Sequence, residues 1–161
     1  MIYLDTSAMV KLVVREAESD QLIEWLNDLT DEDFMQTLSR GTRPTRIDCC
    51  TAQVGRVELM RAALRVGDNA QPIARGVGEL KPAAADAVVA ARRLLDKIDT
   101  LLMTPEIAEL AEAITPAELR TLDALHLATV LANQSSVTTV CAYDRRLIAA
   151  CEEHNIAVAS P

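Results

Sequence analysis

The chain has 161 residues, half of them apolar, and a formal net charge of -8. That length suits one domain with its own core, and that apolar content excludes disorder as a global description. The acidic balance argues against a broad basic face for nucleic acid, and no apolar run approaches the roughly 20 residues of a membrane span.

Residues 2–4 read as a short buried strand, and 8–14 have helical composition. Ser19 is placed to cap a helix running to Leu29, with Leu22, Trp25, Leu26 and Leu29 on one stripe. The polar stretch 31–48 (DEDFMQTLSRGTRPTRID) reads as a long loop, of the kind that is functional or mobile in a compact domain. A strand is expected at 49–54. Val57, Met60, Ala63 and Leu64 then mark one face of a helix ending near Gly67. After a second polar connection at 67–81, Pro82 opens a helix with Val88, Ala91, Leu94 and Leu95 inside. Residues 98–103 look like a strand, and Thr104-Pro105 is a cap followed by proline at the first helical position. Thr115-Pro116-Ala117-Glu118 reads as a capping box that launches the long apolar helix containing LDALHLATVLA. A β-branched strand at 137–142, a helix over RRLIAACEEH and a last short strand at 156–158 complete the chain.

Strands therefore alternate with helices throughout, which predicts an α/β fold with a mostly parallel sheet covered by helices on both faces. One domain over 1–161 is expected. No basic segment followed by a cleavable apolar stretch is present near residue 1, and a cytoplasmic location is expected. Cys49, Cys50, Cys141 and Cys151 make no C-x-x-C pair, and two are adjacent; they read as small buried hydrophobes rather than a disulfide or zinc framework. Lysine occurs only at 11, 81 and 97, so arginine carries most of the positive charge, and arginine is the better fork for phosphate.

Ligand sites in open α/β sheets lie beyond the carboxyl ends of strands. Asp5 follows the strand IYL, and Asp144 follows the strand ending in CAY. If those strands are neighbours, both carboxylates face one crevice; each is also a favoured helix N-cap. Asp123 reads as lying mid-helix among apolar residues, with His126, Leu127 and Val130 on its own face. A buried carboxylate needs a counter-charge, a proton or a metal; Arg120, nearby in sequence, is a structural alternative to a cation. Glu58 lies beside an apolar stripe with Arg61 and Arg65 on its face, which is equally the pattern of an ordinary surface ion pair. His126 reads as a satisfied core histidine. Clustered carboxylates repel unless cations neutralise them, and an oxygen-only donor set suits Mg²⁺ or Mn²⁺ rather than zinc.

Four separated segments, MIYLDTSAMVKL, TAQVGRVELMRA, LRTLDALHLATVL and VCAYDRRLIAACEEHNIAVASP, together resemble the PIN-domain ribonucleases, and within them the VapC toxins of toxin–antitoxin pairs. The resemblance implies a PIN-like three-layer α/β sandwich. It implies an acid set of Asp5, Glu58, Asp123 and Asp144 that holds Mg²⁺ or Mn²⁺, with the Thr6 hydroxyl beside the first acid. It implies cleavage of RNA phosphodiester bonds, a small VapB-type antitoxin as partner, and a homodimer. Arg61, Arg65, Arg145 and Arg146 flank the acids in sequence and are candidate phosphate contacts. Two other readings remain open: a non-catalytic domain that binds Mg²⁺ and regulates a partner, and a PIN nuclease that processes RNA without an antitoxin.

Overall fold

The apolar triplet Ile2–Leu4 forms β1, the central strand of a five-stranded sheet in the computed structural model, which describes residues 1–30, 48–66 and 82–161. The predicted polar stretches at 31–47 and 67–81, and the predicted helix end at Gly67, lie outside the described residues. The other strands are β2 (Cys49–Ala52), β3 (Asp99–Leu101), β4 (Thr139–Cys141) and β5 (Val158–Ala159). Their order is β3-β2-β1-β4-β5, and every pairing is parallel.

Each crossover is helical, as parallel neighbours require. Helices α1 (Thr6–Val13) and α2 (Ser19–Thr30) lead from β1 toward β2; α3 (Gln53–Arg65) and α4 (Pro82–Leu95) lead to β3. Helices α5 (Pro105–Ala113) and α6 (Thr121–Ala132) carry the chain back to β4, and α7 (Arg145–Glu153) joins β4 to β5. The period of two along each strand sorts the core into two halves. Ile2, Leu4, Cys49 and Cys141 face α1 to α4, meeting Met9, Leu22, Leu59 and Leu94. Tyr3, Cys50, Ala52, Val140 and Ala142 face α6 and α7, meeting Leu127, Leu147 and Cys151. Helix, sheet and helix thus form the expected three layers. All four cysteines are buried and free, and burial pushes the Cys50, Cys141 and Cys151 thiols up to about 12.

Several local readings are corrected. On α3 the buried positions are Gly55, Leu59 and Ala63; Met60 is only partly buried, and Val57 and Leu64 are exposed. A helix whose apolar residues lie on more than one side gives a weak stripe, and tertiary packing chose the other one. Leu29 is likewise exposed beyond the buried Leu22 and Leu26. Ser19 does not cap α2. Its hydroxyl accepts from the Glu16 backbone N–H at 2.8 Å and donates to the Lys11 carbonyl at 2.7 Å, pinning the α1–α2 turn. Thr104 does cap α5, accepting from the Ile107 N–H at 3.4 Å. The Thr115–Glu118 box starts no helix; α6 begins six residues after Thr115, at Thr121, with Arg120 as a cap that lends no side-chain bond.

The strand order reverses direction at β1, between its neighbours β2 and β4. The carboxyl ends of β1 and β4, paired at Leu4 and Cys141, form that switch point.

Candidate active site

Asp5 leaves β1 at the switch point, with its backbone N–H donating to the Cys141 carbonyl at 3.0 Å. Its side chain is buried, 5 % exposed. Oδ2 accepts from the Ser7 backbone N–H at 3.0 Å and from the Ser7 hydroxyl at 2.6 Å, so Asp5 itself caps α1. Oδ1 lies 3.7 Å from His126 Nε2. Cap and site therefore share one carboxylate, an oxygen each. The Ser7 hydroxyl also accepts from the Tyr143 N–H at 2.9 Å, tying the start of α1 to the segment after β4.

Glu58 reaches the same crevice from α3, and it is not a solvated surface pair. Its Oε2 accepts from the Thr6 hydroxyl at 2.6 Å and pairs with His126 Nε2 at 2.7 Å. Burial alone would raise this carboxyl, but the His126 and Thr6 bonds, with smaller help from the charges of His126 and Arg65, hold it below its ordinary range.

His126 is 2 % exposed and lies on the α6 face that the sequence places beside Asp123. Its Nδ1 is 2.5 Å from the Tyr3 hydroxyl, and the two rings meet edge to face at 82°. Burial pulls the imidazolium down; the Glu58 bond and the charges of Asp5, Glu58 and Asp123 outweigh it, so the ring holds a proton more tightly than an ordinary histidine. The Tyr3 phenol is pushed up, first by burial and then by the Asp5 charge. The close approach of α3 to α6 depends on Gly55. A Cβ there would lie 2.6 Å from Thr51 Oγ1 and 3.2 Å from His126 Cε1.

Asp123 and Asp144 form the other side. Asp144 caps α7, accepting through Oδ1 from the Arg146 and Leu147 N–H groups at 2.8 and 3.4 Å. Asp123, expected mid-helix, stands in the first turn of α6, and its buried Oδ2 has no hydrogen-bond partner among the described residues. Its carboxyl is raised, first by burial and then by the charges of Asp144 and Asp5, against weaker pulls from His126 and Arg120. The Asp123 Oδ2 is thus a buried, electron-rich oxygen near two more acids, with no donor bonded to it and only the weaker charges of His126 and Arg120 opposing them. Among the described residues, no three His, Cys, Asp or Glu side chains are drawn closely enough together to hold an ion as they stand.

All four candidate acids and Thr6 thus come to the switch-point crevice. The candidate arginines Arg61, Arg65, Arg145 and Arg146 are exposed; Arg65 is near enough for its charge to act on Glu58. Sequence reasoning passed over Tyr3, and it took His126 for core packing. His126 is both buried and satisfied, but its partners are the site's own acids. Its place three residues after Asp123 was the available signal.

The PIN domain family model matches residues 2–153. Ribonuclease VapC47 of Mycobacterium tuberculosis is 37% identical over 161 residues, spanning all of this chain and 97% of the relative. Ribonuclease VapC46 of the same species is 36% identical over 160 residues, with 99% and 97% covered. The crystal structure of Mycobacterium tuberculosis VapC20, a sarcin–ricin loop cleaving toxin, superposes with a TM-score of 0.58 at 19% identity, covering 93% of this chain and 95% of that one; this likeness concerns the fold.

Proposed function

This chain belongs to the PIN domain family, and on that premise we propose that it is a metal-dependent endoribonuclease, the toxin of a VapBC-type toxin–antitoxin pair. Residues 1–161 act as one domain, in the cytoplasm, as a homodimer restrained by a small VapB-type antitoxin. Among the described residues no helix is long and apolar enough to cross a membrane.

The observation that carries the reading is the orphaned, buried Asp123 Oδ2 beside Asp5 and Asp144. An apolar core has no use for such an oxygen, and mutual repulsion of the acids is what a cation would remove. Asp5, Asp123 and Asp144, with Glu58, would hold Mg²⁺ or Mn²⁺, the hard ions that carboxylate oxygens select. Bound there, the ion supplies positive charge to the phosphate oxygens during in-line displacement. The chain's own residues do the rest. Thr6 and His126 hold Glu58 in place, which suits it to present a carboxylate oxygen to the ion. Asp5 and Asp144 are anchored by their capping bonds, so two of the acids are fixed at helix starts. Arg61, Arg65, Arg145 and Arg146 are exposed fork donors for the RNA backbone.

The test is cleavage of labelled structured RNA by the purified protein with Mg²⁺ or Mn²⁺, beside Asp123→Asn prepared identically. Cleavage by the wild type that EDTA stops, and an inert but folded variant, are expected. Equal cleavage by both proteins would refute the assignment of the site, since the activity would then come from elsewhere.

A further inference from the structure

We infer that Tyr3 and His126 are positioning residues that hold Glu58 in a single orientation at the acid crevice. The inference rests on the ribonuclease reading only for its consequence in turnover; the hold itself stands on geometry.

The bonds fix one another's direction. A glutamate carboxylate only accepts, so the 2.7 Å contact has His126 presenting Nε2–H to Oε2. In the neutral ring Nδ1 is then a bare acceptor, and the Tyr3 hydroxyl, 2.5 Å away, is the donor that meets it. Tyr3 is wholly buried on the central strand, and the edge-to-face contact of the two rings limits the imidazole's rotation. The Thr6 hydroxyl approaches the same Oε2 at 2.6 Å. Glutamate has three side-chain torsions, and both bonds fall on one oxygen, leaving Oε1 free of them. Gly55 leaves the space in which the ring sits. The line Tyr3–His126–Glu58 thus runs from the sheet's central strand through α6 to α3. It transmits the rigidity of β1 to an acid on another element, as outer partners do for the ligands of a metal site.

The test combines ring ¹⁵N spectra of the metal-free protein with kinetics on a double-mutant cycle. His126 and His154 are the two histidines, so assignment is direct. At alkaline pH the wild type should show the Nε2–H tautomer of His126 with a hydrogen-bonded Nδ1, and Tyr3→Phe the same tautomer with its Nδ1 resonance moved downfield toward that of a free acceptor. Tyr3→Phe should lower kcat about 10- to 100-fold with KM nearly unchanged, and should cost nothing further in a Glu58→Gln background. His126→Gln, which keeps a donor near the Nε2 position, should retain more activity than His126→Leu; this pair decides the matter if Tyr3→Phe does not fold. An Nδ1–H tautomer in the wild type, an Nδ1 resonance that does not move in Tyr3→Phe, or a kcat loss that recurs in full without Glu58, would overturn the inference. If the wild type cuts no RNA, the ribonuclease reading fails, and the ring spectra of wild type, Tyr3→Phe and Glu58→Gln alone decide whether the hold exists.

Discussion

The crevice has two corners built on opposite principles. At the Glu58 corner every polar atom that approaches the acid arrives as a donor: Thr6, His126 and, at longer range, the charge of Arg65. The acid is consequently depressed and satisfied. At the Asp123 corner the neighbours are Asp144 and Asp5, one oxygen is orphaned, and the acid is raised. Burial is common to both, so burial is not what separates them; the sign of the neighbouring charge is. One corner is complete within the protein. The other is stable only because the rest of the fold outweighs it, which is the expected condition of a group awaiting a ligand.

The largest expected effect breaks the unsatisfied corner. Asp123→Asn should lower RNA cleavage by at least about 100-fold while leaving the metal-free protein as stable as the wild type or more so, because a repelled carboxylate is removed. Cleavage assays and thermal melts on one preparation check both halves. Overpacking the satisfied corner comes next. The added methyl of Gly55→Ala meets Thr51 Oγ1 and His126 Cε1, and should cost about 1–3 kcal/mol in chemical denaturation.

Acidity should then tell the corners apart. Glu58 has a folded pKa below its ordinary 4.5, so its contribution is present above that value and is lost as pH falls through the folded one. Asp123 has a folded pKa above 3.8; ionised, it destabilises the fold, and protonation relieves this as pH falls through the raised value. Melting curves should therefore show Glu58→Gln weaker than wild type at neutral pH by roughly 1 kcal/mol, with the gap closing in acid. Asp123→Asn should show the reverse sign, also closing in acid. Mg²⁺ or Mn²⁺ should raise the wild-type melting temperature and raise that of Asp123→Asn less. The smallest effects belong to the arginines. Arg65→Ala at one corner and Arg145→Ala at the other should each raise KM for RNA a few-fold and reduce its salt dependence.

Much of this was legible in the residues because it depends on local pattern. The alternation of apolar strands with helical segments gave the α/β layering, and the end positions of Asp5 and Asp144 required only that β1 and β4 be neighbours. Asp123 stood out because an acid among apolar residues must be accounted for. What was illegible depends on contacts between distant elements. Tyr3 and His126 are 123 residues apart, and nothing near either predicts the other. The buried side of α3 was misread because Val57, Met60 and Leu64 form as good a stripe as Gly55, Leu59 and Ala63, and packing into the core shared with α1, α2 and α4, with Gly55 approaching α6, selects the second. The motif at Thr115–Glu118 had the residues of a cap without the helix it should start.

The pairing of Leu4 with Cys141 has a bearing on how the protein is made. Leu4 is synthesised long before Cys141, its neighbour in the sheet. At ordinary elongation rates that interval is on the order of ten seconds. Throughout it β1 has no β4 to lie against, and the crevice lacks Asp144 and one wall. Until β4 is made, a nascent chain of this topology therefore carries Asp5 without the strand that closes its crevice.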